Sequence, residues 1–157
     1  MTRALRRRRL ERASRMTDED IKFIERELEL TLPESYKRAL VPFGIPLLAG
    51  NTKYELWDDA QELVKLNREL RAGSRFVPPW PPHLYAVGYP HGDEMIAVDT
   101  RDPEGAVWWL DHGIVGHPAS YQSHARFAEW VEEFYRDMRQ DLEGDGFDPE
   151  AAPGSGE

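Results

Sequence analysis

The chain has 157 residues, which at ~100 to 200 residues per domain argues for one compact domain with tails. It has no cysteine, so a disulfide framework, a thiol nucleophile and any Cys-ligated zinc or iron–sulfur site are excluded, and a reducing compartment is expected. The net charge of -9 is unevenly spread: seven Arg against Glu11 make residues 1–15 +6 and leave -15 for the rest. A domain that acidic repels phosphate backbones, which turns it away from nucleic acid and toward a basic protein partner.

In chain order, residues 1–16 read as a basic disordered arm, as sequence upstream of a start at Met16, or as a targeting or nucleic-acid arm; no site is assigned to them. No apolar stretch follows the Arg cluster, so export through a signal peptide is not expected. No run of ~18 apolar residues occurs, so no membrane span is expected either. The predicted domain covers 17–143. Thr17 followed by Asp18, Glu19 and Asp20 is an N-cap with acids in the first turn, and Ile21, Ile24 and Leu28, with Phe23, give the helix an apolar face. Pro33 is placed at the first position of a second helix that aligns Tyr36, Ala39, Leu40 and Phe43 and stops at Pro42 and Gly44. Residues 45–53 show little periodicity, and 54–57 is a short strand candidate. Asp58 is the expected cap of a third helix with Ala60, Leu63, Val64, Asn67 and Leu70 on one face, closed by Gly73.

The stretch Pro78-Pro79-Trp80-Pro81-Pro82 lacks four amide donors and is expected as a stiff connection outside any central strand. Three strand-length runs follow, at 84–89, 95–100 and 106–112, separated by turn residues His91-Gly92-Asp93 and Asp102-Pro103-Glu104-Gly105; they read as an antiparallel meander. Ile96 and Val98 share one face, Ala97 and Asp99 the other, one expected to be core and the other partly wet. A long amphipathic helix is expected from Ser123 to about Leu142, carrying Phe127, Trp130, Val131, Phe134 and Met138. Residues 144–157, rich in Gly and acids, are expected as an acidic disordered tail.

Nucleophile-elbow, phosphate-loop, zinc-protease and dinucleotide signatures are all missing, which favours binding over catalysis. No catalytic residue, metal ligand or cofactor is assigned. His91, Asp93, Asp111 and His112, with His117, have a spacing a metal could use, but a His after an Asp at a strand end ordinarily belongs to a turn. The pairs Asp58-Asp59, Asp93-Glu94 and Glu132-Glu133 are explained by a cap, a turn and a solvated helix face. Strand alternation sends Trp108 and Trp109 to opposite faces. Either one ring is core and the other an exposed anchor for a partner, or both faces are covered and both rings are packed.

The sequence resembles the SUKH superfamily, which includes fungal cell-wall-assembly and glucan-synthesis regulators and many bacterial immunity proteins. The resemblance rests on an amphipathic helix leading into Leu32-Pro33-Glu34-Ser35-Tyr36-Lys37, then Leu40 and Gly44, then the helix after Trp57. It continues through Val87-Gly88, Gly92-Asp93, Ile96-Ala97-Val98-Asp99, Gly105 and Val107-Trp108-Trp109-Leu110-Asp111-His112 to a final aromatic helix with Ser123 and Phe127, and covers about residues 18 to 140. His91-Gly92-Asp93 stands where the family usually has Gly-Gly-Asp. The resemblance implies an α+β fold: a small curved antiparallel sheet with helices packed against it and a long C-terminal helix. It also implies a cytoplasmic, non-enzymatic immunity protein that neutralises a cognate protein toxin, for an acidic domain a basic one such as a nuclease. A regulatory or scaffolding module with another protein partner is the alternative. The residues expected at the partner surface are Trp57, Asp58, Asp93, Glu94, Trp108 and Asp111.

Overall fold

The computed structural model describes residues 16–40, 56–88 and 94–144, with side chains up to 137. The Arg cluster, the 41–55 connection, the 89–93 turn and the acidic tail lie outside the described residues, as do the side chains of Met138 and Leu142.

Thr17 fixes the entry to the fold. Its hydroxyl accepts the Asp20 amide at 3.1 Å and the Asp20 carboxylate accepts the Thr17 amide at 2.9 Å, a reciprocal capping box. Helix α1 (Asp18–Leu28) then buries Ile21, Ile24 and Leu28. Met16, placed in the arm on sequence, is 1% exposed and part of the core. Helix α2 (Glu34–Leu40) begins one residue after Pro33, whose carbonyl accepts the Tyr36 and Lys37 amides; Pro33 therefore precedes the first helical residue rather than filling it. Leu56 and Trp57 do not form the expected strand, although the Trp57 amide donates to the Val87 carbonyl at 2.9 Å.

Helix α3 (Ala60–Ala72) is capped by Asp59, not by Asp58 as the sequence suggested. Asp59 Oδ1 accepts the Gln61 and Glu62 amides at 3.1 and 3.2 Å, while Asp58 is turned inward and only 8% exposed. The helix ends at Gly73, where φ is +75° and a Cβ would lie 2.8 Å from the Pro79 ring, so both the backbone and the space require glycine.

Among the described residues the sheet has four antiparallel strands in sequence order: β1 (Leu84–Ala86), β2 (Met95–Asp99), β3 (Val107–Leu110) and β4 (Tyr121–His124). The fourth was not expected, because Ser123 was assigned to the start of the last helix. Instead Ser123 stands at a register shift opposite Val107 and Trp108, and its hydroxyl donates to the Val107 carbonyl at 3.3 Å. Helix α4 (Phe127–Gly144) starts four residues later, its first amide held by the Glu104 carbonyl at 2.9 Å. The same carbonyl accepts the Ser35 hydroxyl at 2.8 Å, which ties α2, α4 and the β2–β3 turn together.

All four helices contribute to the core on one sheet face, where Tyr85, Val87, Ile96, Val98 and Val107 meet side chains such as Ile24, Tyr36, Leu63 and Phe127. The other face is not simply wet. Leu84, Ala86, Met95, Ala97 and Leu110 form a second apolar cluster with Trp80 of the proline-rich connection. Trp80 is locked there by its indole N–H, which donates to the Gly113 carbonyl at 2.7 Å. Both faces of the strand Met95–Val98 are therefore buried.

Candidate functional site

Ladder register places Trp109 opposite Ile96 and Tyr121, and Trp108 opposite Ala97 and Gln122. The two rings leave the strand on opposite faces as alternation requires. Trp109 packs against the helix-side core and Trp108 against the Trp80 cluster, and both are half-buried, so the reading with two packed rings is the one found.

Trp108 still borders open space. A cleft of about 290 Å³ lies on the Trp80 side of the sheet, with Trp108 and Leu110 supplied by β3. His83 and Leu84 come from the entry to β1, and Asp99 and Arg101 from the end of β2. The opposite wall is the loop after Gly113, through Val115, Gly116, His117 and Ser120.

Both walls are held rigidly. Ser120 Oγ accepts the Asp111 amide at 2.9 Å and donates to the Ile114 carbonyl at 3.2 Å, closing the loop on itself. His117 Nδ1 accepts the Ala119 amide at 3.1 Å. On the other side Asp99 receives Arg101 as a fork, Nε to Oδ1 at 3.1 Å and Nη2 to Oδ2 at 2.9 Å. The Arg101 hydrogen bonds hold the Asp99 carboxyl below its ordinary range against the opposing effect of burial, with a smaller contribution from His83. The one carboxylate lining the cleft is thus already neutralised.

The residues expected at a partner surface do not form a single patch. Trp57 is half-buried against the helix-side core and Asp58 is buried, so neither lies on the sheet's outer surface. Burial lets Asp58 act instead on Tyr36, whose phenol is pushed up chiefly by desolvation and in part by that carboxylate. Asp93 lies outside the described residues. Glu94 and Asp111 flank the pair Met95–Leu110 at the end of the β2–β3 ladder, but of the six only Trp108 lines the cleft. The cleft residues Arg101, Val115 and His117 were not singled out as partner contacts. Their signal was thin: an Asp-x-Arg spacing at a strand end, and an apolar residue in a turn with no periodicity to assign it to a core.

Asp111 Oδ2 lies 3.4 Å from His117 Nδ1 and 3.8 Å from His112 Nε2. Nevertheless no group of three His, Asp or Glu side chains among the described residues could hold a metal ion. No helix among them is long and apolar enough to cross a membrane.

A family model described as SMI1/KNR4 family (SUKH-1) matches residues 15–133. The chain belongs to this family. The matched span runs from the capping box of α1 through the sheet and into α4, so every wall of the cleft is part of this SUKH-1 domain. The expected α+β architecture, helices on an open antiparallel sheet with a C-terminal helix, is the one observed. Comparison with curated proteins and with solved structures gave no match.

Proposed function

We propose that this SUKH-1 protein is an immunity protein: it binds a cognate bacterial toxin in the cytoplasm of the producing cell and covers the toxin's active site or substrate path, transforming no substrate itself. The observation that carries the reading is the family match over 15–133, since membership is consistent with an immunity or related protein-binding role. The charge of -15 outside the Arg-rich arm supports a basic partner, such as a nuclease, drawn in by electrostatic steering. Glu94 and Asp111 at the ladder end and the half-buried Trp108 ring at the cleft are the residue types of a charged rim and an aromatic anchor.

Co-expression with the toxin encoded beside this protein is the test. The expected result is rescued growth and co-purification of the two chains; absence of both contradicts the reading. A Glu94→Lys/Asp111→Lys double variant is expected to slow association and flatten its salt dependence with little change in thermal stability. Unchanged association in that variant would put the interface elsewhere on the protein.

A further inference from the structure

We infer that the Trp108 cleft seats a single uncharged apolar side chain of the protein partner, so that the anchor of the complex is not one of the partner's basic residues. This inference rests on the protein-binding reading above and specifies the chemistry of its centre. Three observations lead to it. The first is size: about 290 Å³ lies at the small end of the ~300 to 1,000 Å³ usual for small-molecule pockets, which suits one inserted side chain.

The second is charge. An acidic protein facing a basic partner would be expected to place an Arg or Lys of that partner over the Trp108 ring, as a cation–π contact. A cation buried there would need a counter-charge, and the only carboxylate among the cleft residues, Asp99, already has one oxygen on Arg101 Nε and the other on Nη2. An incoming cation would lie beside the Arg101 guanidinium and lose water to a lining of His83, His117, Ser120 and apolar side chains that holds no other carboxylate. Asp111, 3.4 Å from His117 Nδ1, is not part of the lining. The cleft therefore offers a buried cation no free counter-charge, although the molecule as a whole attracts positive charge.

The third is the wall itself. Among the described residues Phe76, Val115 and Tyr121 are the exposed large apolar side chains, and Val115, 42% exposed, lines this cleft together with Trp108, Leu84 and Leu110. Covering Val115 and the open part of the Trp108 ring with a Leu, Ile, Met or Phe removes apolar area from water on both partners, at ~25 cal/mol per Å². The Asp99–Arg101 pair, His83, His117 and Ser120 then form the polar rim around the buried anchor. Long-range attraction and the central contact are thereby separated: acids bring the partner in, and an apolar plug holds it.

Two measurements decide this. Isotope-labelled protein is titrated with N-acetyl-leucine methylamide and, separately, with N-acetyl-arginine methylamide, following the Trp108 indole N–H and the Val115 amide by NMR. The leucine probe is expected to move both signals saturably, and the arginine probe to bind at least tenfold more weakly. Equal or stronger binding of the arginine probe, or no response to either, overturns the inference. In the second measurement Val115→Lys, a change at an exposed rim position that leaves the Trp108 packing in place, is compared with the parent chain for toxin affinity and thermal midpoint. At least tenfold weaker toxin binding at an unchanged midpoint is expected. If the parent chain protects and Val115→Lys protects equally, the docking role of the cleft is wrong and the immunity reading stands. If the parent chain binds no toxin, the immunity reading falls and the docking role falls with it.

Discussion

Asn67 shows how much one buried polar side chain can specify. It is 1% exposed on α3, and its amide behaves as a neighbouring strand would: Oδ1 accepts the Ala86 amide at 2.8 Å and Nδ2 donates to the Ala86 carbonyl at 3.0 Å. A second Nδ2 bond, to the Leu63 carbonyl at 2.9 Å, holds the rotamer. Among the described residues β1 is an edge strand, and Asn67 pairs the outward backbone groups of Ala86, as a neighbouring strand would. Asn67→Ala leaves both Ala86 groups buried without partners and is expected to cost about 3 kcal/mol in urea unfolding. A loss under about 1 kcal/mol would show that water replaces the amide. Helical periodicity places Asn67 on the inner face of α3 but does not distinguish this role from that of an ordinary helix polar residue.

Tyr36 and Tyr85 are buried edge to face, with their hydroxyls 2.9 Å apart. Burial pushes both phenols above their ordinary pKa of 10.0. Between the unfolded and folded pKa the native state therefore holds protons that the unfolded chain has lost, and stability falls as pH rises. The contribution is complete below about pH 10 and is lost progressively above it. Tyr36→Phe is expected to shallow the decline above pH 10 in denaturant midpoints, while losing about 1 kcal/mol at neutral pH with the hydrogen bond. An unaltered alkaline slope would contradict the assignment.

At the scale of the elements, the turn between β2 and β3 joins the helices to the sheet. Gly105 has φ +67°, and a Cβ there would meet Ser35 Oγ at 3.0 Å, Val98 at 3.2 Å and Phe127 at 3.3 Å, so the turn, α2 and α4 all crowd one glycine. Gly105→Ala is expected to lose about 1 to 3 kcal/mol through backbone strain alone. Trp80→Phe is expected to lose a similar amount, because the Gly113 carbonyl is left unpaired beneath the second sheet face. Thermal unfolding of the two variants measures both.

These elements also mark where the sequence was legible. The capping box, the buried faces of α1 and α3, the Gly73 stop and the three-strand meander follow from periodicity and turn chemistry, which are local. β4 was not legible: Tyr-Gln-Ser-His has no alternating apolar face, and Ser before an aromatic run imitates a helix cap. Its pairing is decided by distant Val107 and Trp108. The cap at Asp59 was missed for a related reason, since Asp58 and Asp59 are equivalent in sequence and only the packing around Tyr36 takes one of them inward. The cleft was the least legible feature, because it is assembled from four segments that meet only in the folded chain.

For the whole molecule, the two sheet faces have different tasks. The helix side is a closed core, and the other side is a thinner apolar layer stapled by Trp80, with the Trp108 cleft left open in it. Acids dominate the charge of the domain, and a basic partner would feel it over about 8 Å, the distance that physiological ionic strength sets. Association with the proposed toxin is therefore expected to slow several-fold between low and physiological salt, with dissociation much less affected, in stopped-flow measurements.

The most direct measurement is a titration of the toxin's own activity with this protein. Occlusion requires activity to fall linearly and reach its floor at one equivalent, without change on longer incubation. An unchanged toxin rate at excess protein would contradict binding. Complete inactivation by a small fraction of an equivalent, progressing with time, would show turnover in place of coverage.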